Sequence, residues 1–138
     1  MPGCNMRSMK AVCAFVLGLL VAAVPVSAHH SFAAEYDADK PVTLSGVVVK
    51  IDWTNPHIHF YLEVKDESGT VTQWKMEGYP PNMLVRQGWA RDTLKVGQTI
   101  TVSGWRARLD PNLGAGREIT FADGRKMAVG PPAGTGGQ

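Results

Sequence analysis

From Val42 to Phe121 the apolar residues recur mainly at every second position, the period of a strand with one buried face. Val42 and Leu44 lie on one parity and Val47, Val49, Ile51 and Trp53 on the other, with Gly46 between the two sets. A glycine where the inward parity changes predicts a bulge at that point in a long, bent first strand. Thr54-Asn55-Pro56 then turns the chain. The next strand, His57 to Lys65, alternates without a break: Ile58, Phe60, Leu62 and Val64 face one way, His57, His59, Tyr61 and Glu63 the other. Asp66 to Thr70 reads as a hairpin. Val71 to Glu77 follows as a third strand, with Trp74 and Met76 on one face and Gln73, Lys75 and Glu77 on the other.

Pro80-Pro81-Asn82 opens a short helix, because proline is tolerated in a first helical turn, and Gly88 supplies its left-handed stop. Thr99 to Gly104 and Glu118 to Phe121 are the remaining strands, separated by a loop from Asp110 to Gly116. The order β-β-β-α-β-β predicts an all-β fold with one short helix: an OB-like, five-stranded, partly open barrel whose helix closes one end. A small two-sheet sandwich is the competing architecture, since periodicity identifies strands better than closure.

The flanks differ in character. Residues 11–26 are a 16-residue apolar run behind Arg7 and Lys10, followed by Val26-Ser27-Ala28. This is the layout of a secretory signal peptide with a small-residue cleavage site, and it is too short to span a bilayer comfortably. An uncleaved anchor helix is the alternative, opposed by Pro25 and the polar continuation. The expected division is a signal peptide over 1–28, an N-terminal arm held by Phe32 and Tyr36 over 29–41, the barrel over 42–129 and a disordered Gly/Pro-rich tail over 130–138. The implied location is periplasmic or secreted, with no stable membrane anchor after cleavage.

Charge and cysteine usage change once the leader is removed. The 138 residues carry 14 Lys+Arg and 12 Asp+Glu, and losing Arg7 and Lys10 leaves 12 cations against 12 anions. A neutral domain has no long-range field to gather nucleic acid or an anionic membrane, so nucleic acid is excluded as a main partner. Both cysteines, Cys4 and Cys13, lie in the leader. The mature chain therefore has no disulfide, thiolate ligand or cysteine nucleophile, and roughly 110 residues rely on an apolar core alone.

His29-His30-Ser31-Phe32 directly after the leader, Trp53-Thr54-Asn55-Pro56-His57 at the first turn, Gly88-Trp89 after the helix and Gly124-Arg125-Lys126 near the end are specific strings. Together they resemble a family of small exported bacterial proteins of unknown function, over about residues 29 to 128. The resemblance implies location and an OB-like fold, and brings no activity with it. His59 lies outside the matched strings.

Chemistry therefore has to come from the residues. The four histidines fall in two pairs, His29 with His30 at the expected new N-terminus and His57 with His59 on one strand face. Cleavage after Ala28 would let His29 chelate a metal through its α-amine and imidazole. An imidazole from His57 would complete a three-nitrogen site of the histidine-brace kind, which suits copper(II) best. Zinc is the alternative, held by the same imidazoles with Asp37 or Glu35. Against this, N-terminal residues are often mobile and strand-face histidines are often merely solvated.

A second constellation, Trp53, Tyr61, Trp74, Trp89 and Trp105, suggests binding of a small envelope ligand, glycan or partner protein by an aromatic face, with Tyr61, Asn55 and Trp53 as the binding residues and Gln73 and Lys75 adding hydrogen bonds. The inward parity of Trp53 and Trp74 argues instead for core. Arginines thicken the C-terminal half, an asymmetry more in keeping with local pairing than with an anion site. No Gly-x-Ser-x-Gly elbow, His-Glu-x-x-His helix or P-loop occurs, so a binding module is expected in preference to an enzyme.

Overall fold

The computed structural model describes residues 32–132. Its elements are a single helical turn α1 (Phe32–Glu35), then β1 (Tyr36–Asp52), β2 (His59–Lys65), β3 (Val71–Glu77), the short helix α2 (Pro81–Arg86), β4 (Thr99–Ala107), β5 (Leu113–Phe121) and β6 (Lys126–Ala128). The sheet order is β3-β2-β1-β4-β5-β6, all antiparallel, and a parallel contact of β3 with β5 joins the ends. Five strands thus form a ring, the all-β architecture with a short helix that the periodicity implies, and the β3–β5 contact separates it from a two-sheet sandwich. The strand order around the ring, 1-2-3-5-4, and a helix between β3 and β4 are those of a small OB-type barrel.

The ring buries Ile58, just ahead of β2, and Phe60 and Leu62 on the even-numbered face of β2 against Met76, Ile100, Val102 and Ile119. His59 and Tyr61 alternate to the outside, as the period-2 pattern requires. Leu84 is the one buried residue of α2 and plugs the core from one end. Gly88, two residues past the helix, has a φ of +89° and reverses the chain as expected.

Several boundaries depart from the pattern. The bulge in β1 lies at Val49, not at Gly46: Val48 pairs with Leu62 and Lys50 with Tyr61, so Val49 is the extra residue. Accordingly Val48 is buried and Val47 faces out. Gly46 is needed for another reason, since a Cβ there would sit 2.4 Å from the carbonyl oxygen of Glu63 where β1 crosses β2. The stretch read as a loop through Gly116 is strand from Leu113, because Gly114 lets the backbone approach Trp105 to within 2.9 Å of where its Cβ would be. A sixth strand, β6, pairs outside the ring with β5.

At the ends, α1 leads directly into β1, and Tyr36 already pairs with Ala107. Phe32 and Tyr36 do anchor the arm, packing on Trp105, Leu113, Ala107 and Ala115. Gly130, placed by composition in a disordered tail, is buried and donates its N–H to the Arg117 carbonyl. The expected signal peptide, the cleavage site, His29, His30 and residues 133–138 lie outside the described residues.

Candidate functional site

Four polar side chains, Tyr36, His57, His59 and Glu77, meet at one end of the ring. The β2–β3 hairpin sets Lys65 opposite Val71, and counting outward from that pair brings Glu77 opposite His59. The turn through Asn55 and Pro56 sets His57 just ahead of β2, and the pairing of Tyr36 with Ala107 at the start of β1 lets its hydroxyl reach the end of β3. The Glu77 carboxylate is the hub. Its Oε1 accepts from Nδ1 of His57, its Oε2 accepts from the Tyr36 hydroxyl at 2.5 Å, and Nε2 of His59 lies 3.9 Å from Oε2.

This network fixes protons as well as positions. Burial, then the hydrogen bond and charge of Glu77 and the charge of Glu35, push the Tyr36 phenol far above its usual pKa, so it remains a donor. A carboxylate can only accept, so neutral His57 carries its proton on Nδ1 and presents a lone pair on Nε2, a tautomer inferred from the partner. That Nε2 has no hydrogen-bond partner among the described residues, and the His57 side chain is 44% exposed. A metal-ligating histidine held by a carboxylate on its other nitrogen has the same arrangement. Burial, reinforced by Lys75, lowers the pKa of His59 and favours its neutral form.

His57 opens onto a cleft of about 580 Å3 whose walls include Phe32, Glu35, Tyr36, Pro56 and Leu109. It lies between the β1–β2 and β4–β5 loops, where OB-type barrels commonly take ligands. A smaller hollow of about 180 Å3 continues beneath it over Gly78, Ala115 and Gly116. Of the suggested carboxylate ligands, Glu35 is on the wall, whereas Asp37 turns away to Lys40 at 3.5 Å and Arg108 at 3.7 Å. The amide of Asp39, followed by these cations, lowers the Asp37 pKa. Among the described residues no three His, Cys, Asp or Glu side chains converge as a metal-binding set. His57 and His59 are brought to the same carboxylate, but further ligands would have to come from elsewhere.

The aromatic constellation disperses. Trp53 is half-buried against the core, Trp74 and Trp89 are buried within it, and Trp105 packs edge-on to Phe32. Tyr61 does face outward, but Lys50 stands over its ring at 4.8 Å while also bridging Asp52 at 2.8 Å. Asn55 is exposed in the turn. The C-terminal cations are largely engaged locally: Arg106 stacks on Trp74, Arg125 on Phe121, and Lys126 pairs with Glu118.

Glu77 and Tyr36 are the residues that reading the sequence missed as site residues. Glu77 was within reach, because the hairpin register alone places it beside His59. Tyr36 was not, because its place depends on a pairing of β1 with β4 that resumes at Ala107 beyond an irregularity between Tyr36 and Pro41. No curated protein matches the chain. The model of a family described as "Family of unknown function (DUF6152)" matches residues 16–115, and the chain belongs to that family.

Proposed function

We propose that this protein is an exported binding module for a divalent metal, copper first and zinc as the alternative, with His57 as a ligand and the mature N-terminal His29 as its partner. The observation that carries the reading is the Glu77–His57 contact, which holds the ring and leaves Nε2 as a lone-pair donor at the edge of the cleft. Phe32, three residues after His29 in the sequence, forms part of that cleft, and three residues of chain reach at most about 10 Å. Its amine and imidazole would add two nitrogens to that of His57, and three nitrogens with open positions rank copper(II) above the other divalent ions. His30 and His59 are the reserve imidazoles, His59 being favoured in its neutral form by burial.

Ligation needs unprotonated nitrogens. Affinity is therefore expected to fall as the pH drops and protons compete with the metal for these nitrogens. Copper(II) and zinc(II) titrations of the processed protein, His57→Ala and His59→Ala test the assignment. Loss of tight binding in His57→Ala, with the larger part retained in His59→Ala, is the expected pattern. Equal, micromolar binding by all three would mean that the histidines are ordinary surface groups.

A further inference from the structure

The cleft beside His57 and the hollow beneath it are anionic and apolar at once. Their linings hold two carboxylates, Glu35 and Glu77, and no Lys or Arg. Among the described residues neither carboxylate forms an ion pair with Lys or Arg. Glu77 accepts from the Tyr36 hydroxyl and from Nδ1 of neutral His57, and Arg108, whose amide donates to the Glu35 carbonyl, turns its guanidinium to Asp37. The Glu77 side chain is only 18% exposed. A carboxylate this far from water without a countercharge is destabilising, and a cation in the cleft relieves it.

The apolar walls set the rest of the ligand. The hollow of about 180 Å3 lies over Gly78, Ala115 and Gly116, with Phe32, Tyr79 and Pro131 at its sides. An apolar cavity of about 150 Å3 takes benzene, so the hollow has room for one ring. Phe32 is tilted on Tyr36 at 5.1 Å and edge-on to Trp105 at 5.4 Å, so this wall is preformed. His57 borders both spaces, and its Nε2, an acceptor in the tautomer that Glu77 holds, calls for a donor.

We infer that the metal-free site binds a small primary ammonium ion carrying one aromatic ring. The nitrogen donates to Nε2 of His57 and answers the charge of Glu77 and Glu35, while the ring fills the hollow. A donor, a positive charge and an apolar body of one ring are each asked for by a different part of the lining. An anion is opposed by both carboxylates, and a neutral donor leaves their charge unanswered. The inference goes beyond the metal reading and stands without it, since an ammonium and a metal ion would use the same Nε2 lone pair and exclude each other.

Benzylammonium, benzyl alcohol and phenylacetate carry the same ring on a cationic, a neutral and an anionic head, and methylammonium carries the head without the ring. Each is titrated calorimetrically into chelator-treated, metal-free protein at neutral pH, with the nitrogen-15 resonances of His57 followed in parallel. Benzylammonium is expected to bind about tenfold more tightly than benzyl alcohol, the difference between a charged and a neutral donor, and to shift the Nε2 resonance. It should exceed methylammonium by at least about tenfold through burial of the ring, and phenylacetate should give no heat. Glu35→Gln, a change at an exposed position, should cut the advantage over benzyl alcohol about threefold while leaving the alcohol unaffected. Absence of benzylammonium binding overturns the inference. So does equal binding of benzyl alcohol or methylammonium, an unmoved Nε2 resonance, or an unchanged advantage in Glu35→Gln. No metal is present in these titrations, so their failure leaves the copper reading standing, and failure of copper to bind leaves the ammonium site standing.

Discussion

Glu77→Gln is the substitution that separates a held histidine from a merely exposed one. The carboxylate accepts from both Tyr36 and His57. The amide offers one acceptor oxygen and one donor nitrogen, so it satisfies only one of them in the original sense. With the oxygen on the buried Tyr36 hydroxyl, the amide nitrogen faces Nδ1 of His57, which must then accept, and the proton moves to Nε2. The ring keeps its place but loses its outward lone pair. Replacing two hydrogen bonds to a charged group by neutral ones in this half-buried setting costs about 1–3 kcal/mol of stability. Loss of the supporting carboxylate lowers metal affinity about 10–100-fold. Nitrogen-15 NMR of the imidazole reads the tautomer directly, and copper titration reads the affinity. An unchanged tautomer with unchanged affinity in a folded Glu77→Gln protein would refute the reasoning.

Phe60→Ala, which removes the largest fully buried side chain, is expected to cost about 3–5 kcal/mol in denaturant unfolding. Gly46→Ala drives a Cβ to 2.4 Å from the Glu63 carbonyl oxygen and should destabilise by about 1–3 kcal/mol, without altering the histidine resonances at the other end of the strand. The raised pKa of Tyr36 gives stability that is full below the unfolded value of about 10 and lost as pH rises above it, because only the unfolded chain then releases the proton. That loss approaches about 1.4 kcal/mol per pH unit, and alkaline unfolding of Tyr36→Phe should show a correspondingly shallower slope than the parent.

The parts of the fold that were legible in the sequence are those where one face is buried along a whole strand. The Ile58 to Val64 alternation reads correctly because burial on one side and water on the other impose a period of two. The bulge was misplaced because two different roles fall three positions apart: Gly46 allows a close approach to Glu63, and Val49 is the unpaired extra residue. Gly114, Ala115 and Gly116 carry no strand signal, since their fitness for a strand lies in how little room the ring leaves them. At the site, the histidine pairs were visible as composition. The Glu77 hub that gives His57 a defined tautomer emerges only from strand register and from a tertiary contact of the arm.

In the proposed site the amine and ring of His29 act with His57 on one metal. Copper(II) electron paramagnetic resonance on protein beginning at His29, and on the same protein extended by one N-terminal glycine, tests it most directly. Three nitrogen ligands are expected in the first form and, in the second, loss of the amine nitrogen with a fall in affinity as severe as that of His57→Ala. Equally tight binding with the same nitrogen count in both forms would contradict it.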